Sequence, residues 1–282
     1  MPDLIFCSLG VLAFLGSSMP TYHIATITAS ISPILIRDPV WEKFLVQPGE
    51  GREPDFTAEY EGENLRFHHV RKIELGDTNA CLLVHGADVM AVSGDWRRGR
   101  VFTLENPDSR ASFLLQLFYA HAIRRRMIQL HASLVDWQGR GILFLGPSGI
   151  GKTTQAELWQ RYRGARILNG DLVYVQERED GFFGWGTPWH GSSPYCENDS
   201  VPICGLAVLK QGPENEIRPL GQFELLSQVA DSLFYPQWVE GGMEICLEVA
   251  DHLLERLPVW ELSCRPDEGA VERMEETLMR TI

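Results

Sequence analysis

The sequence predicts an α/β protein in which a small β-rich lobe precedes a mixed-sheet domain. Three observations lead to this prediction: short β-like runs fill the first hundred residues, a helical period begins near residue 106, and a glycine-rich motif at residues 146–153 separates a strand-like from a helix-like segment. We therefore expect a leader over residues 1–18, a β-rich lobe over residues 19–105 and an α/β domain over residues 106–282.

The leader prediction depends on an apolar stretch at residues 4–16. This stretch is too short for a membrane-spanning helix, which needs about 20 residues. Only Asp3 is charged in front of it, so the basic region of a signal peptide is missing. We interpret it as a dispensable leader or an over-extended start; a weak signal sequence and a packed first strand are the alternatives. No other segment approaches a membrane-spanning length.

Enrichment in β-branched and aromatic residues, with Gly, Asp and Asn between the runs, predicts the strands of the first lobe. These runs cover residues 23–31, 55–62, 64–75, 80–86, 88–94 and 100–105. A helix follows, for which Asn106 is the predicted cap and Pro107 the first helical residue. Phe113, Leu117 and His121 fall on one side of that helix, which is therefore expected to be buried.

The remaining pattern mixes strands and helices without an internal repeat. The predicted strands cover residues 127–137, 141–146, 165–177, 181–189, 200–211 and 259–264. The predicted helices cover residues 152–163, 222–234 and 237–257, and a last helix begins near Pro266. The first two strands are separated by the turn Q-G-R-G, which predicts a hairpin.

Composition excludes some classes of function. A formal charge of -13 repels polyanions over most of the surface, so nucleic-acid binding is not expected. The short basic runs at residues 96–100 and 124–126 are interpreted as solvated turn and helix ends. Six cysteines without a C-x-x-C pair indicate reduced thiols in a cytoplasmic protein.

Residues 146–153 read G-P-S-G-I-G-K-T and match the phosphate-binding motif G-x-x-x-x-G-K-[ST]. Glycines let consecutive backbone N–H groups turn toward a phosphate, and the following helix adds positive charge at its N-terminus. Lys152 is expected to reach the terminal phosphates, and the Thr153 hydroxyl to bind Mg²⁺. We expect a nucleoside triphosphate as the ligand, and the loop alone leaves the choice between ATP and GTP open. The predicted nucleotide-binding residues are Gly146, Ser148, Gly149, Ile150, Gly151, Lys152, Thr153 and Thr154.

Asp171 is the candidate for a second metal ligand beside Thr153. It interrupts two apolar pairs of a predicted strand, where a bare carboxylate is costly to bury without a cation. The alternative is a solvated turn formed by the sequence N-G-D.

Residues 130–158 and 163–175 together resemble the core of HPr kinase/phosphorylase, with its histidine strand, its G-x-S-G-I-G-K-[ST] loop and its R-G-x-x-[LI]-x-x-D-D segment. The resemblance implies a phosphoenolpyruvate-carboxykinase-like fold. It also implies that Lys152 and Thr153 bind nucleotide phosphate and metal, that Asp171 is the second aspartate of the pair, and that His131 lies near the active site. The implied function is an ATP- and Mg²⁺-dependent kinase that acts on a hydroxyl of a peptide, protein or small molecule.

The sequence departs from this pattern at Gly170, which stands where the first aspartate of the pair is expected. The resemblance implies that this aspartate activates the acceptor hydroxyl. A base, if one is needed, must then come from elsewhere, because phosphoryl transfer depends largely on positioning and electrostatics and need not be abolished by the loss of a base. His131 and His190 are the local candidates, with a core histidine as the alternative for His131. A nucleotide-binding regulatory or scaffold protein is the alternative function. A positive φ at Gly170 would disfavour an aspartate there.

Two further features leave alternatives open. The aromatic stretch at residues 184–199 predicts either a platform for the acceptor or base, or a hydrophobic plug against the β-rich lobe. Lys210 and Arg218 either neutralise phosphate charge or lie on a surface hairpin. The oligomeric state, including a homo-oligomer, stays open.

Overall fold

The computed structural model describes residues 19–47, 50–61, 80–102, 105–106, 108–221, 224 and 228–281. These residues form a six-stranded and a nine-stranded sheet with four helices whose bounds are given below, so the predicted α/β class is confirmed. The leader predicted at residues 1–18, the strand predicted at residues 64–75 and the position of Pro107 lie outside the described residues.

The six-stranded sheet occupies the N-terminal part of the chain. Its strands are β1 (Thr21–Ile24), β2 (Ile27–Ile31), β3 (Phe56–Tyr60), β4 (Cys81–His85), β5 (Asp88–Val92) and β6 (Arg98–Val101). They lie in the order β1-β2-β3-β6-β5-β4. The single strand predicted over residues 23–31 is wrong, because Ala25 turns the chain with a φ of 53° and β1 pairs with β2 as a hairpin.

The nine-stranded sheet follows in the C-terminal part. Its strands are β7 (Met127–Trp137), β8 (Arg140–Leu145), β9 (Arg166–Asn169), β10 (Leu172–Arg178), β11 (Gly181–Trp185), β12 (Ser200–Gln211), β13 (Glu216–Pro219), β14 (Leu233–Phe234) and β15 (Val259–Cys264). Strand β12 pairs in parallel with both β8 and β15. The predicted hairpin of β7 and β8 is present, and Gln138 and Gly139 both have a positive φ in its two-residue turn.

The helices are α1 (Ser109–Arg124), α2 (Lys152–Arg163), α3 (Gly242–Arg256) and α4 (Glu268–Thr281). Asp108 occupies the cap position of α1, so the prediction that Asn106 caps this helix is wrong; the Asn106 side chain instead accepts a hydrogen bond from the Asp108 backbone. The helix predicted over residues 222–234 does not extend to its predicted end, because Leu233 and Phe234 form strand β14 and pair with β7. Helix α3 begins at Gly242 rather than at residue 237.

The two sheets share a hydrophobic core. It runs from Tyr22 and Phe44 on the N-terminal side through helix α1 to Leu145 and Val259. A second core cluster packs helices α2 and α4 against strands that include β8 and β15. Residues on both sides of position 105 belong to this core. The domain boundary predicted at position 105 stays a prediction.

The described part of the chain contains no helix that is both long enough and apolar enough to cross a membrane. Its cysteine thiols are all unpaired: Cys81, Cys196, Cys204, Cys246 and Cys264.

Candidate functional site

The predicted phosphate-binding loop connects strand β8, which ends at Leu145, to helix α2, which begins at Lys152. Three of its glycines hold the chain in the left-handed region, with φ values of 137° at Gly146, 77° at Gly149 and 117° at Gly151. Residues with a side chain rarely adopt these angles, so the glycines are required for this turn. The strand, loop and helix therefore follow one another as the sequence predicts.

The Lys152 side chain lies folded back against this loop and is only 6% exposed. Its Nζ donates hydrogen bonds to the carbonyl oxygens of Gly146 (2.9 Å) and Pro147 (3.1 Å). Burial lowers the pKa of the ammonium group, and the nearby Asp171 carboxylate opposes that shift. A largely buried cation held by neutral carbonyl groups is well suited to receive an anionic ligand.

His131 and Asp171 form a pair beside the loop. The His131 Nε2 lies 3.1 Å from the Asp171 Oδ1, and the two side chains are 27% and 30% exposed. Strand pairing brings them together: His131 lies opposite Leu172, and the Ala132 N–H donates to the Asp171 carbonyl. The structure thus brings together three of the four predicted catalytic residues, because Lys152 acts electrostatically on His131 and Asp171 on both.

Thr153 lies next to the turn that precedes Asp171. Its hydroxyl donates to the Gly170 carbonyl oxygen at 3.2 Å, and the buried Ser133 hydroxyl donates to that oxygen at 3.1 Å. The two predicted metal ligands, Thr153 and Asp171, are therefore joined through one intervening residue, Gly170.

Asn169 is a structural residue of the site that the sequence analysis did not single out. Its buried side chain accepts hydrogen bonds from the backbone N–H groups of Asp171 (2.9 Å) and Leu172 (3.0 Å). Its amide group donates to the carbonyl oxygens of Thr187 and Trp189. The N-G-D turn, which was the alternative to a metal site, is thus present, and the metal role of Asp171 stays a prediction. The signal was an asparagine two residues before the aspartate, which is typical of a turn closed by its own side chain.

His190, the fourth predicted catalytic residue, is directed elsewhere. Its Nε2 lies 3.0 Å from the Asp38 Oδ2 in the N-terminal part of the chain, and its Nδ1 pairs with the Ser193 carbonyl. The following residue, Gly191, packs directly against the Asp171 side chain, since a Cβ at Gly191 would come within 2.2 Å of Oδ2. His190 therefore borders the site while both of its ring nitrogens are already paired.

The aromatic stretch at residues 184–199 contributes Trp189 to the core between the two sheets. The Trp189 ring is 5.4 Å from that of Trp41 and 4.9 Å from that of Phe118. Trp189 is 6% exposed, which favours the hydrophobic plug over a stacking platform at this position.

Gly170 is surrounded too closely for a side chain. A Cβ there would lie 1.9 Å from the Ser193 Oγ and 2.6 Å from the Ser193 Cβ. Gly170 is outside the left-handed region, so a positive φ does not disfavour an aspartate there. The obstacle to an aspartate at this position is therefore the Ser193 side chain and not the backbone.

Lys210 on β12 and Arg218 on β13 differ in their surroundings. The hairpin predicted for them is wrong, because β15 lies between these two strands. Arg218 on β13 pairs with Glu224 at 2.9 Å and Glu261 at 3.1 Å, so its charge is already neutralised on the surface. Lys210 lines a cavity beside the glycine-rich loop.

The glycine-rich loop between a strand and a helix is accompanied by relatives that are named as kinases. The chain is 32% identical over 98 residues to HPr kinase/phosphorylase of Mycoplasmopsis pulmonis, which covers 34% of this chain and 27% of that protein. It is 39% identical over 82 residues to HPr kinase/phosphorylase of Clostridium tetani, which covers 29% of this chain and 24% of that protein. The predicted resemblance is thereby confirmed, and the match spans about a quarter of the length of these relatives.

The chain belongs to the family described as SynChlorMet cassette protein ScmC, because the model of that family matches residues 110–265, more than half of the sequence. Among solved structures, the HPr(Ser) kinase/phosphatase from Coxiella burnetii is similar with a TM-score of 0.31 and 12% sequence identity. That similarity covers 54% of this chain and 88% of the other.

The environment of His131 predicts its titration. Burial and the Lys152 ammonium lower the pKa of His131, whereas Asp171 raises it by a smaller amount. We expect the His131 ring to titrate below the ordinary histidine value of about 6.5 and to be neutral at pH 7. Asp171→Asn removes the one opposing charge, so it is expected to lower the pKa further. Ring-proton NMR titration of both proteins measures this, and an upward shift in the variant would contradict the arrangement.

Proposed function

We propose that this protein is a cytoplasmic phosphotransferase: an ATP- and Mg²⁺-dependent kinase that transfers the γ-phosphoryl group to a hydroxyl of a peptide, protein or small molecule. The observation that carries the proposal is the convergence of Lys152, Asp171 and His131 beside a glycine-rich loop at a helix N-terminus. A loop that only binds Mg-ATP uses the lysine and the carboxylate but gains nothing from a histidine paired with that carboxylate.

The described residues fit a nucleotide and its metal. The loop amides of residues 146–151 and the N-terminus of α2 would hold the phosphates, and Lys152 would exchange its two carbonyl partners for phosphate oxygens. Thr153 and Asp171 would hold Mg²⁺. No cluster of three or more His, Cys, Asp or Glu residues suited to a metal occurs in the described part of the chain, so phosphate oxygens and water would complete the coordination.

His131 is the proposed general base in the absence of an aspartate at position 170. It is expected to be neutral at pH 7, and its Nε2 is directed to Asp171. With the Nε2 proton donated to that carboxylate, Nδ1 is left to accept a proton from the acceptor hydroxyl. No hydrogen-bond partner for Nδ1 is found within the described residues, whereas both nitrogens of His190 are engaged.

The second candidate is a nucleotide-binding regulatory or scaffold protein. The observation that favours it is the Ser193 side chain, which fills the space that a carboxylate at position 170 would need. Such a protein would bind Mg-ATP and transfer nothing.

One experiment separates the two candidates. Purified protein is incubated with ATP labelled in the γ-phosphate, Mg²⁺ and a pool of peptides, proteins and small hydroxyl compounds, with an EDTA sample as the metal control. Mg²⁺-dependent labelling of an acceptor supports the kinase. Tight ATP binding without transfer to any member of the pool supports the regulatory protein.

The packing at Gly170 makes a separate prediction about stability. Gly170→Asp is expected to lower the free energy of unfolding by about 1–3 kcal/mol, because the new Cβ overlaps the Ser193 side chain. Ser193→Gly removes both clashing atoms. Adding Gly170→Asp to the Ser193→Gly protein should therefore lower the free energy of unfolding much less than adding it to the wild type. Urea unfolding of the four proteins measures the coupling. Strictly additive effects would show that the two positions do not touch.

A further inference from the structure

A cavity of about 390 Å³ lies beside the phosphate-binding loop. Its wall includes Gly149 of the loop and Thr154 of helix α2. Neither His131 nor Asp171 lines it. The cavity therefore extends from the loop without including the end at which the phosphoryl group would be transferred. Its volume falls within the range of small-molecule sites, about 300–1,000 Å³.

The wall of this cavity is largely apolar. Leu158 on α2 and Leu209 on β12 contribute aliphatic side chains, and Ile150 of the loop contributes a third. A flat aromatic ring is the kind of group that such a surface binds, because its burial removes apolar area from water. The phosphates held by the adjacent loop would place a nucleoside at this end of the molecule.

Gln155 supplies a buried polar group to the cavity wall, beside the polar side chains of Thr154, Lys210, Gln211 and Arg265. It is 3% exposed, and its Nε2 donates a hydrogen bond to the Cys264 Sγ at 3.5 Å. Its Oε1 is buried and has no hydrogen-bond partner. Leaving a buried acceptor unpaired costs about 1–3 kcal/mol, and a donor that enters the cavity would recover part of that cost.

We propose that this cavity is the base-binding site of the nucleotide and that the Gln155 Oε1 accepts a hydrogen bond from the 6-amino group of adenine. This inference rests on the proposed nucleotide-dependent function and adds the choice of base. In the structure the Nε2 end of the amide faces the Cys264 Sγ, and the Oε1 end is the one without a partner. Burial raises the pKa of Cys264 to about 11, so the thiol stays neutral beside the phosphates.

Wild-type protein tests the proposal without any substitution. Calorimetry compares ATP, purine riboside triphosphate, inosine triphosphate and inorganic tripolyphosphate. Purine riboside triphosphate lacks the amino group, so it is expected to bind about 3- to 10-fold more weakly than ATP. Inosine triphosphate presents a carbonyl at that position and should bind at least as weakly. Tripolyphosphate should bind most weakly, because it leaves the cavity empty.

Gln155→Met then removes the acceptor while keeping the length of the side chain. In this variant ATP and purine riboside triphosphate should bind within about 2-fold of each other, and tripolyphosphate binding should not change. Gln228→Met is the matched control, because the Gln228 Oε1 is also buried and unpaired but Gln228 does not line this cavity. The control is expected to keep the wild-type preference for ATP.

Each contrary result has a distinct meaning. Purine riboside or inosine triphosphate binding as tightly as ATP would overturn the role of Gln155. Equal binding of ATP and tripolyphosphate would overturn the base site while leaving phosphate binding by the loop intact. Failure of every triphosphate to bind would overturn the proposed function together with this inference.

Discussion

Lys152→Ala is expected to weaken ATP binding by about 10- to 100-fold. The substitution removes a buried cation that donates hydrogen bonds to two loop carbonyls, and hydrogen bonds to charged groups contribute about 1.5–3 kcal/mol each. Water that fills the space left by the ammonium group carries no positive charge. Calorimetry with ATP in the presence of Mg²⁺ measures the loss, and transfer of labelled phosphate should fall at least as far.

Lys210→Ala is the matched control for this experiment. It removes one positive charge from a neighbouring position, since Lys210 lines the cavity beside the loop but is solvent exposed. Salt screens an exposed charge, so its loss should change ATP affinity by no more than about 3-fold. Equal losses in the two variants would mean that only overall charge matters, and the phosphate site would have to be placed elsewhere.

The glycine-rich loop and its lysine could be predicted because they are encoded by adjacent residues. The glycines and Lys152 are contiguous, and the flanking strand and helix follow from local hydrophobic periodicity. His131 and Asp171 lie forty residues apart, but both were predicted near the loop from their strands and from the family resemblance. Pairing of β7 with β10 then places them 3.1 Å apart.

Other contacts depend on distant segments and carry no local signal. The pairing of His190 with Asp38 joins residues that are 152 positions apart, and no periodicity could have suggested it. The burial of Trp189 against Trp41 has the same origin, because it arises where the two sheets pack on each other. The split of residues 23–31 into two strands was missed because Ala25 is not a residue that usually marks a turn with a positive φ.

The role of Ser193 also follows only from three-dimensional packing. The sequence identified Gly170 as a departure from the two-aspartate pattern, and a positive φ was the one obstacle to an aspartate that the sequence analysis considered. The structure shows a different obstacle: a loop from more than twenty residues downstream places the Ser193 hydroxyl in the space that a side chain would fill. Gain of a carboxylate at position 170 would therefore require a second change at position 193.

Asp171→Asn is expected to abolish most of the benefit that Mg²⁺ gives to ATP binding and to reduce phosphoryl transfer by about 100-fold or more, since a metal ion stabilises the transferring phosphoryl group by several kcal/mol. An amide keeps the size of the carboxylate but loses the charge that attracts the cation. The turn should persist, because Asn169 binds the backbone N–H of residue 171 and not its side chain. ATP binding in EDTA should therefore stay close to that of the wild type.

Asp38→Asn provides a control with closely matched chemistry. Both aspartates pair with a histidine, at 3.0 Å for Asp38 with His190 and 3.1 Å for Asp171 with His131, but only Asp171 acts electrostatically on Lys152. If metal binding is the role of Asp171, Asp38→Asn should retain the Mg²⁺ dependence of ATP affinity and most of the turnover. Equal losses in both variants would indicate that each histidine pair only supports the fold. An Asp171→Asn protein with unchanged metal dependence and turnover would show that this carboxylate belongs to a surface turn.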